Sequence, residues 1–333
     1  MIMGLEILRR ILIQMPEHDL AWMAQNGEEA LEKAVQFPPD LILMDMVMPV
    51  MNGVEATRRI MQHAPCAILI VTASTQTNIS MVYEAMGYGA LDAVNKPIVG
   101  IDENIEGAAA LITKIRTIEK LIGDNRNGNG HSTDLIDPAI VDQGEQPAPL
   151  ILIGSSTGGP QALATILAEL PSDMPAAIIV AQHVDVDFAP GLVQWLQTQT
   201  TLSVQLAENN ATPRVGTVYI AGTSDHLVLN KKRLMNYTPN PKDYHYRPSV
   251  NELFASAAKN WPFPGTAVLL TGMGYDGAQG LLALREEGWR TIAQDKHSSV
   301  VYGMPRAAAK LGAAQDILPL DHIAAAIKKG FLD

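Results

Sequence analysis

Three residues in the second half of this 333-residue chain are of the types that together turn a hydroxyl into a nucleophile. Ser156 lies in Gly154-Ser155-Ser156-Thr157-Gly158, a G-x-S-x-G pattern. His183 follows the apolar run AAIIVAQ (176–182), and Asp276 follows AVLLTG (267–272) within TGMGYDG. A serine attacks a carbonyl only when a base takes its proton, and the base needs an acid to orient it. Blander readings exist for each residue alone. Ser or Thr caps helix starts, Gly-flanked Asp is a turn residue, and a buried His is commonly structural. Their joint position, each just past a strand, favours chemistry. GSSTGGP lacks both the Gly-Lys-Ser/Thr end of a P-loop and the G-x-G-x-x-G spacing of a dinucleotide fingerprint. Chain order also argues against an α/β-hydrolase, which runs Ser, acid, His, whereas the order here is Ser156, His183, Asp276.

A second constellation lies in the first half. Asp45 ends the apolar run LILM, and a Met48-Pro49 turn and Asn52-Gly53 follow it. Thr72 closes AILIVT (67–72) and Lys96 lies in VNKP. In open parallel sheets ligand chemistry gathers at the carboxyl ends of strands. A carboxylate, a hydroxyl and an ammonium converging there can accept a phosphoryl group and hold its oxygens.

Both constellations require alternating strands and helices. Strands are expected at 41–45, 67–72 and 91–95, with helices around 27–36, 54–64, 79–88 and 103–120. The same rhythm returns with strands at 150–154, 176–182, 218–222, 267–272 and 290–294, so each half reads as a parallel α/β sheet covered on both faces. Between them, 119–149 is rich in Gly, Asn, Asp and Pro and reads as a linker. The opening MIMGLEILRRILIQM is apolar enough to suggest a signal peptide, but Glu6, Arg9 and Arg10 interrupt it and no small-residue cleavage site follows, so a helix is expected there instead. Leu5, Leu8, Leu12 and Met15 recur at helical spacing instead. No apolar run is long enough to span a bilayer. The single cysteine, Cys66, excludes a disulfide frame and a cysteine metal site and fits a reducing cytoplasm. A formal charge of −11 without a basic cluster argues against a nucleic-acid partner.

Residues 1 to about 118 resemble the receiver domain of two-component response regulators, through DLILMDMVMPVMNGVEATRRI, IVTAS and AMGYGALDAVNKP. The resemblance implies a flavodoxin-like fold with Asp45 as phosphoacceptor, Thr72 and Lys96 contacting the phosphoryl group, a partner histidine kinase, and Mg²⁺ in the site with Asp45 among its ligands. Receivers begin with a strand ending in an acidic pair, and this chain begins with what reads as the first helix. A true start upstream is therefore expected; without that central strand the sheet has a gap and the metal lacks ligands. The aromatic that receivers carry three residues before the lysine is here Ala93.

Residues 149–333 are similar to the catalytic domain of the chemotaxis protein-glutamate methylesterases, the CheB family. The stretches IGSSTGGPQAL, VAQHV, VYIAG with DHL, YRPSVNELF, LLTGMGYDGAQGL and QDKHSSVVYGMPRAA carry the likeness. The receiver stretches lean towards members of alternative chemosensory pathways. The expected architecture is two doubly wound parallel-sheet domains: a receiver lacking its first strand (1–118), a linker (119–148) and a Rossmann-like methylesterase domain (149–333). The implied reaction is hydrolysis of glutamate γ-methyl esters on methyl-accepting chemoreceptors, with deamidation of receptor glutamines as a further activity. Ser156 would attack, His183 would serve as base and Asp276 would orient it; amides near Thr157 and Met273 are the oxyanion candidates. No cofactor is expected for this step. Tyr246 stands where many relatives carry His before the Arg of RPSV. The unphosphorylated receiver is expected to cover the Ser156 edge. Two other readings keep part of this pattern: a serine esterase of small molecules, and a non-catalytic receptor-binding adaptor.

Overall fold

The computed structural model describes residues 2–73, 76–99, 105–123, 147–242, 244 and 246–332; most of the expected linker lies outside them. The first half runs α1 (Ile2–Ile13), α2 (Gly27–Gln36), β1 (Leu41–Met44), α3 (Gly53–His63), β2 (Ala67–Thr72), α4 (Gln76–Gly87), β3 (Asp92–Asn95), β4 (Ile98–Val99), β5 (Ile105–Glu106) and α5 (Ala108–Gly123). Strands β1, β2 and β3 pair in that order, all parallel. Asn26 and Asn52 cap α2 and α3 by accepting the amides of Glu29 and Glu55. The helix expected from residue 103 begins only at Ala108, because Ile105–Glu106 pairs antiparallel with Ile98–Val99 instead.

The expected gap is visible on the free side of β1. A cavity of about 670 Å³ is lined there by β1, by residues 17–25 and by α1. The apolar stripe read from α1 divides accordingly. Met15 joins Ile7 and Ile11 in a core with β2, β3 and α5, while Leu5, Leu8 and Leu12 line the cavity.

The second half contains β6 (Leu150–Ser155), α6 (Gly159–Ala168), β7 (Ala177–Gln182), a 3₁₀ turn (Val186–Phe188), α7 (Ala189–Gln197), β8 (Ser203–Leu206), β9 (Thr217–Ile220), β10 (His226–Leu229), β11 (Met235–Thr238), α8 (Val250–Asn260), β12 (Thr266–Leu269), α9 (Ala278–Glu286), β13 (Arg290–Gln294), α10 (Met304–Leu311), β14 (Asp316–Leu318) and α11 (Leu320–Leu332). Seven parallel strands form one sheet in the order β14-β13-β12-β6-β7-β9-β8. The central strands are buried along their whole length, as continuous apolar runs covered on both faces must be. The edge strands β8 and β14 lie beyond the expected set; they are short and only partly buried. The hairpin β10–β11 stands apart from the sheet.

The two halves share apolar core. Helix α4 packs on α6 and α7. Tyr83 is fully buried there, stacks on Trp195 with ring centroids 5.7 Å apart, and donates its hydroxyl to the Phe188 carbonyl at 3.0 Å. Gly191 admits Ile79 so closely that a Cβ would lie 1.5 Å from its Cγ2.

On the opposite face, α8 approaches the sheet at Gly154. A Cβ there would lie 2.1 Å from Val250 Cγ1. Gly154→Val should destabilise the protein by about 1–3 kcal/mol through overpacking, measured by urea unfolding; wild-type stability would show that α8 can shift freely.

Candidate active site

Adjacent strands bring Ser156 and His183 together. Ser155 of β6 pairs with Gln182 of β7, so the next residues, Ser156 and His183, leave the sheet side by side. The His183 amide donates to the Ser155 carbonyl at 3.0 Å, and the Ser156 amide donates to Thr271, just past β12, also at 3.0 Å. Gln182 ties both strand ends: it accepts the Ser155 hydroxyl at 2.6 Å and donates to the carbonyls of Ser156 and His183 at 3.0 and 2.9 Å. This positioning residue was not read from the sequence, because a glutamine ending an apolar strand carries no distinctive signal. It also separates the two serines. The Ser155 hydroxyl is fully buried and engaged, whereas Ser156, on the next residue, makes no side-chain bond among the described residues.

Asp276 reaches the same edge from the loop between β12 and α9. His183 Nε2 lies 2.8 Å from its Oδ2. Asp276 is only 4% exposed. The carboxylate also accepts the Ser249 hydroxyl at 2.9 Å and the amides of Val250, Asn251 and Gly277 at 2.7, 3.0 and 3.0 Å. Val250 and Asn251 open α8, so the carboxylate occupies the positive end of that helix. Ser249 caps α8 and is itself held by its amide, which donates to His226 Nδ1 at 3.1 Å. Burial alone would raise the Asp276 carboxyl; His183 and the amides of Asn251 and Val250 outweigh it and hold the carboxyl below the ordinary carboxylate value. An ionised carboxylate accepts, so Nε2 carries the imidazole proton and the lone pair is on Nδ1. Nδ1 is buried and has no partner among the described residues.

Gly272 brings the following loop onto Ser156: a Cβ there would lie 2.7 Å from Ser156 Cβ and 3.2 Å from its nitrogen. The amides of Ser156 and Gly272 are spent on Thr271 and Val301. Those of Thr157 and Met273, the oxyanion candidates, donate to no protein group among the described residues. Gly158, in the left-handed region at φ +77°, turns the chain from Thr157 into α6.

In the first half, Asp45 follows β1 and accepts Lys96 Nζ at 2.6 Å. The Lys96 amide donates to the Thr72 carbonyl at 3.0 Å, so the strand ends are joined, although the buried Thr72 hydroxyl makes no bond to Asp45. Ala93 sits within β3. Among the described residues no three His, Cys, Asp or Glu side chains gather into a metal-sized group. With one Asp45 oxygen taken by lysine, these residues do not by themselves make a Mg²⁺ site. Cys66 lies apart from both constellations, its thiol pushed up to about 11 by burial. No helix among the described residues is long and apolar enough to cross a membrane.

A Ser-His-Asp edge on a parallel sheet, joined to a receiver-like sheet, defines the class. The chain matches the family model for CheB methylesterase over residues 151–327 and that for the response regulator receiver domain over residues 3–106. A Mesorhizobium japonicum protein named protein-glutamate methylesterase/protein-glutamine glutaminase is 51% identical over 329 residues, spanning 98% of this chain and 95% of that one. A Pseudomonas fluorescens protein of the same name, numbered 1, is 49% identical over 97% of this chain and 94% of its own length. The crystal structure of the Thermotoga maritima CheB methylesterase catalytic domain aligns with a TM-score of 0.53 and 34% identity, covering 55% of this chain and 98% of that one. This chain belongs to the CheB methylesterase family.

Asp276 ties acid stability to the site. Its native carboxyl binds a proton more weakly than the unfolded chain's, so its contribution is complete above the ordinary aspartate value and is lost as pH falls through the lower native one. Asp276→Asn should therefore flatten the acid limb of a stability-versus-pH curve and lower turnover by roughly 10⁴-fold at neutral pH. An unchanged acid limb would show that the carboxylate is not held as described.

Proposed function

We propose that Ser156, His183 and Asp276 hydrolyse γ-methyl esters of glutamate on chemoreceptors, and that the receiver half controls access to them. The two activities in the names of the relatives, methylesterase and glutaminase, need the same acyl transfer. Ser156 Oγ attacks the side-chain carbonyl as its proton passes to His183 Nδ1. The tetrahedral oxyanion is met by the Thr157 and Met273 amides, each donor worth about 2.7–4 kcal/mol of barrier. His183 returns the proton to the departing methoxide, releasing methanol, or to the leaving amine of glutamine, releasing ammonia. Water then attacks the acyl-serine, with His183 again as base, and His183 returns that proton to Ser156 Oγ as the glutamate leaves. The observation that carries this reading is the imidazole: bonded to Asp276 through Nε2, unpartnered at Nδ1, and on the strand end adjacent to that of Ser156.

For regulation, Asp45 is the proposed phosphoacceptor of a chemotaxis-type histidine kinase, with Lys96 and Thr72 as phosphoryl contacts. Asn95, next to Lys96, donates to Asp187 at 2.8 Å, four residues past His183. A phosphoryl group on Asp45 draws Lys96 and strains that contact. The receptor helices and kinase place this chemistry in the cytoplasm.

The test is methanol release from methyl-esterified receptor. Ser156→Ala should abolish turnover; receptor binding without Ser156-dependent turnover would leave an adaptor. Deleting residues 1–146 should raise the unphosphorylated rate by about 5- to 150-fold, and Asp187→Ala in the full chain by about 2- to 10-fold. An unchanged rate on deletion would remove the inhibitory role of the receiver.

A further inference from the structure

Tyr246 has no part in the steps above, yet its ring lies flat against His183, with centroids 4.6 Å apart and planes 3° from parallel. The other restraint on the imidazole, the Nε2 bond to Asp276, lies in the ring plane. Such a bond fixes one ring atom and leaves tilting about it unrestrained. A flat aromatic neighbour opposes that motion, and its π-face favours a positive charge facing it. Tyr246 is itself anchored. The tip of its ring packs over Gly274, where a Cβ would lie 2.8 Å from the phenol oxygen, 3.5 Å from Cζ and 3.7 Å from Cε2. At its other end the chain continues through Ser249 into the amides that hold Asp276. One segment, 246–251, thus covers the imidazole face and grips the carboxylate. Burial and the Asp276 charge push the phenol above its ordinary value, so the stacked ring stays neutral.

We infer that Tyr246 is a positioning residue for the general base: its aromatic face holds the His183 imidazole in the plane that presents Nδ1 to Ser156, and covers the imidazolium formed on attack. This rests on the proposed role of His183. The face, rather than the hydroxyl, carries the effect. Tyr246→Phe therefore retains it and Tyr246→Leu loses it.

The experiment uses the full chain and has two readouts: methanol release from methyl-esterified receptor, and the low-field proton resonance of the His183 Nε2–H bonded to Asp276. Tyr246→Leu should lower kcat by roughly 3- to 30-fold with KM unchanged, and should broaden the resonance. Tyr246→Phe should keep both near wild type. A wild-type kcat and sharp resonance in Tyr246→Leu, or equal losses in Phe and Leu, would overturn the inference. If the Leu variant does not fold, Tyr246→Met makes the same comparison against Phe. Turnover that survives Ser156→Ala would count against the proposed reaction instead, and the resonance would still decide the stack.

Discussion

The Asp276 carboxylate is almost wholly removed from water, and a buried charge persists only where its lone pairs are met. Three elements of the catalytic half converge to meet them. Helix α8 supplies its first amides and its capping serine, the loop before α9 supplies Gly277, and β7 supplies His183 at its end. That convergence explains features that are otherwise unconnected. Gly154 must be glycine-sized for α8 to reach the sheet, and His226 must be buried to hold Ser249. The carboxylate in turn decides which imidazole nitrogen keeps the proton. Asp276 is therefore the point from which both the packing of α8 and the tautomer of His183 are set.

The acidic residue of the first half is held in the opposite way. Asp45 is partly exposed, bonded to one lysine, and beside a sheet edge that opens on a cavity. A partly exposed ion pair of this kind contributes about 0–1 kcal/mol, so it exchanges partners at little cost. Rigid fixation suits an orienting acid, and a labile pair suits a group proposed to receive and lose a phosphoryl group. The contrast between the two aspartates is one of desolvation, not of residue type.

Much of this was legible in the sequence. Apolar runs ending in Ser156, His183 and Asp45 marked strand ends, because continuous burial of parallel strands writes itself into composition. The strands β8 and β14 were not legible, since SVQL and DIL at sheet edges are short and half polar. Nor was the grip on Asp276. Ser249, Val250 and Asn251 act through one hydroxyl and two backbone amides, and amides have no sequence signature. Gln182 was hidden for a related reason, working through contacts across the strand ends, and Tyr246 stood out in the sequence without showing that it stacks on His183.

The junction between the halves limits how regulation can operate. Ile79 and Tyr83 of α4 are buried against α7, and exposing side chains of this size costs about 1.5–3 kcal/mol each. A coupling energy between sites is typically about 1–3 kcal/mol. The phosphorylation proposed at Asp45 therefore falls short, by itself, of separating α4 from α7. The Asn95–Asp187 contact has no such apolar cost, joins the strand end beside Lys96 to the turn after His183, and is exposed. The margin where the halves can part at least cost is therefore this polar contact, four residues past His183.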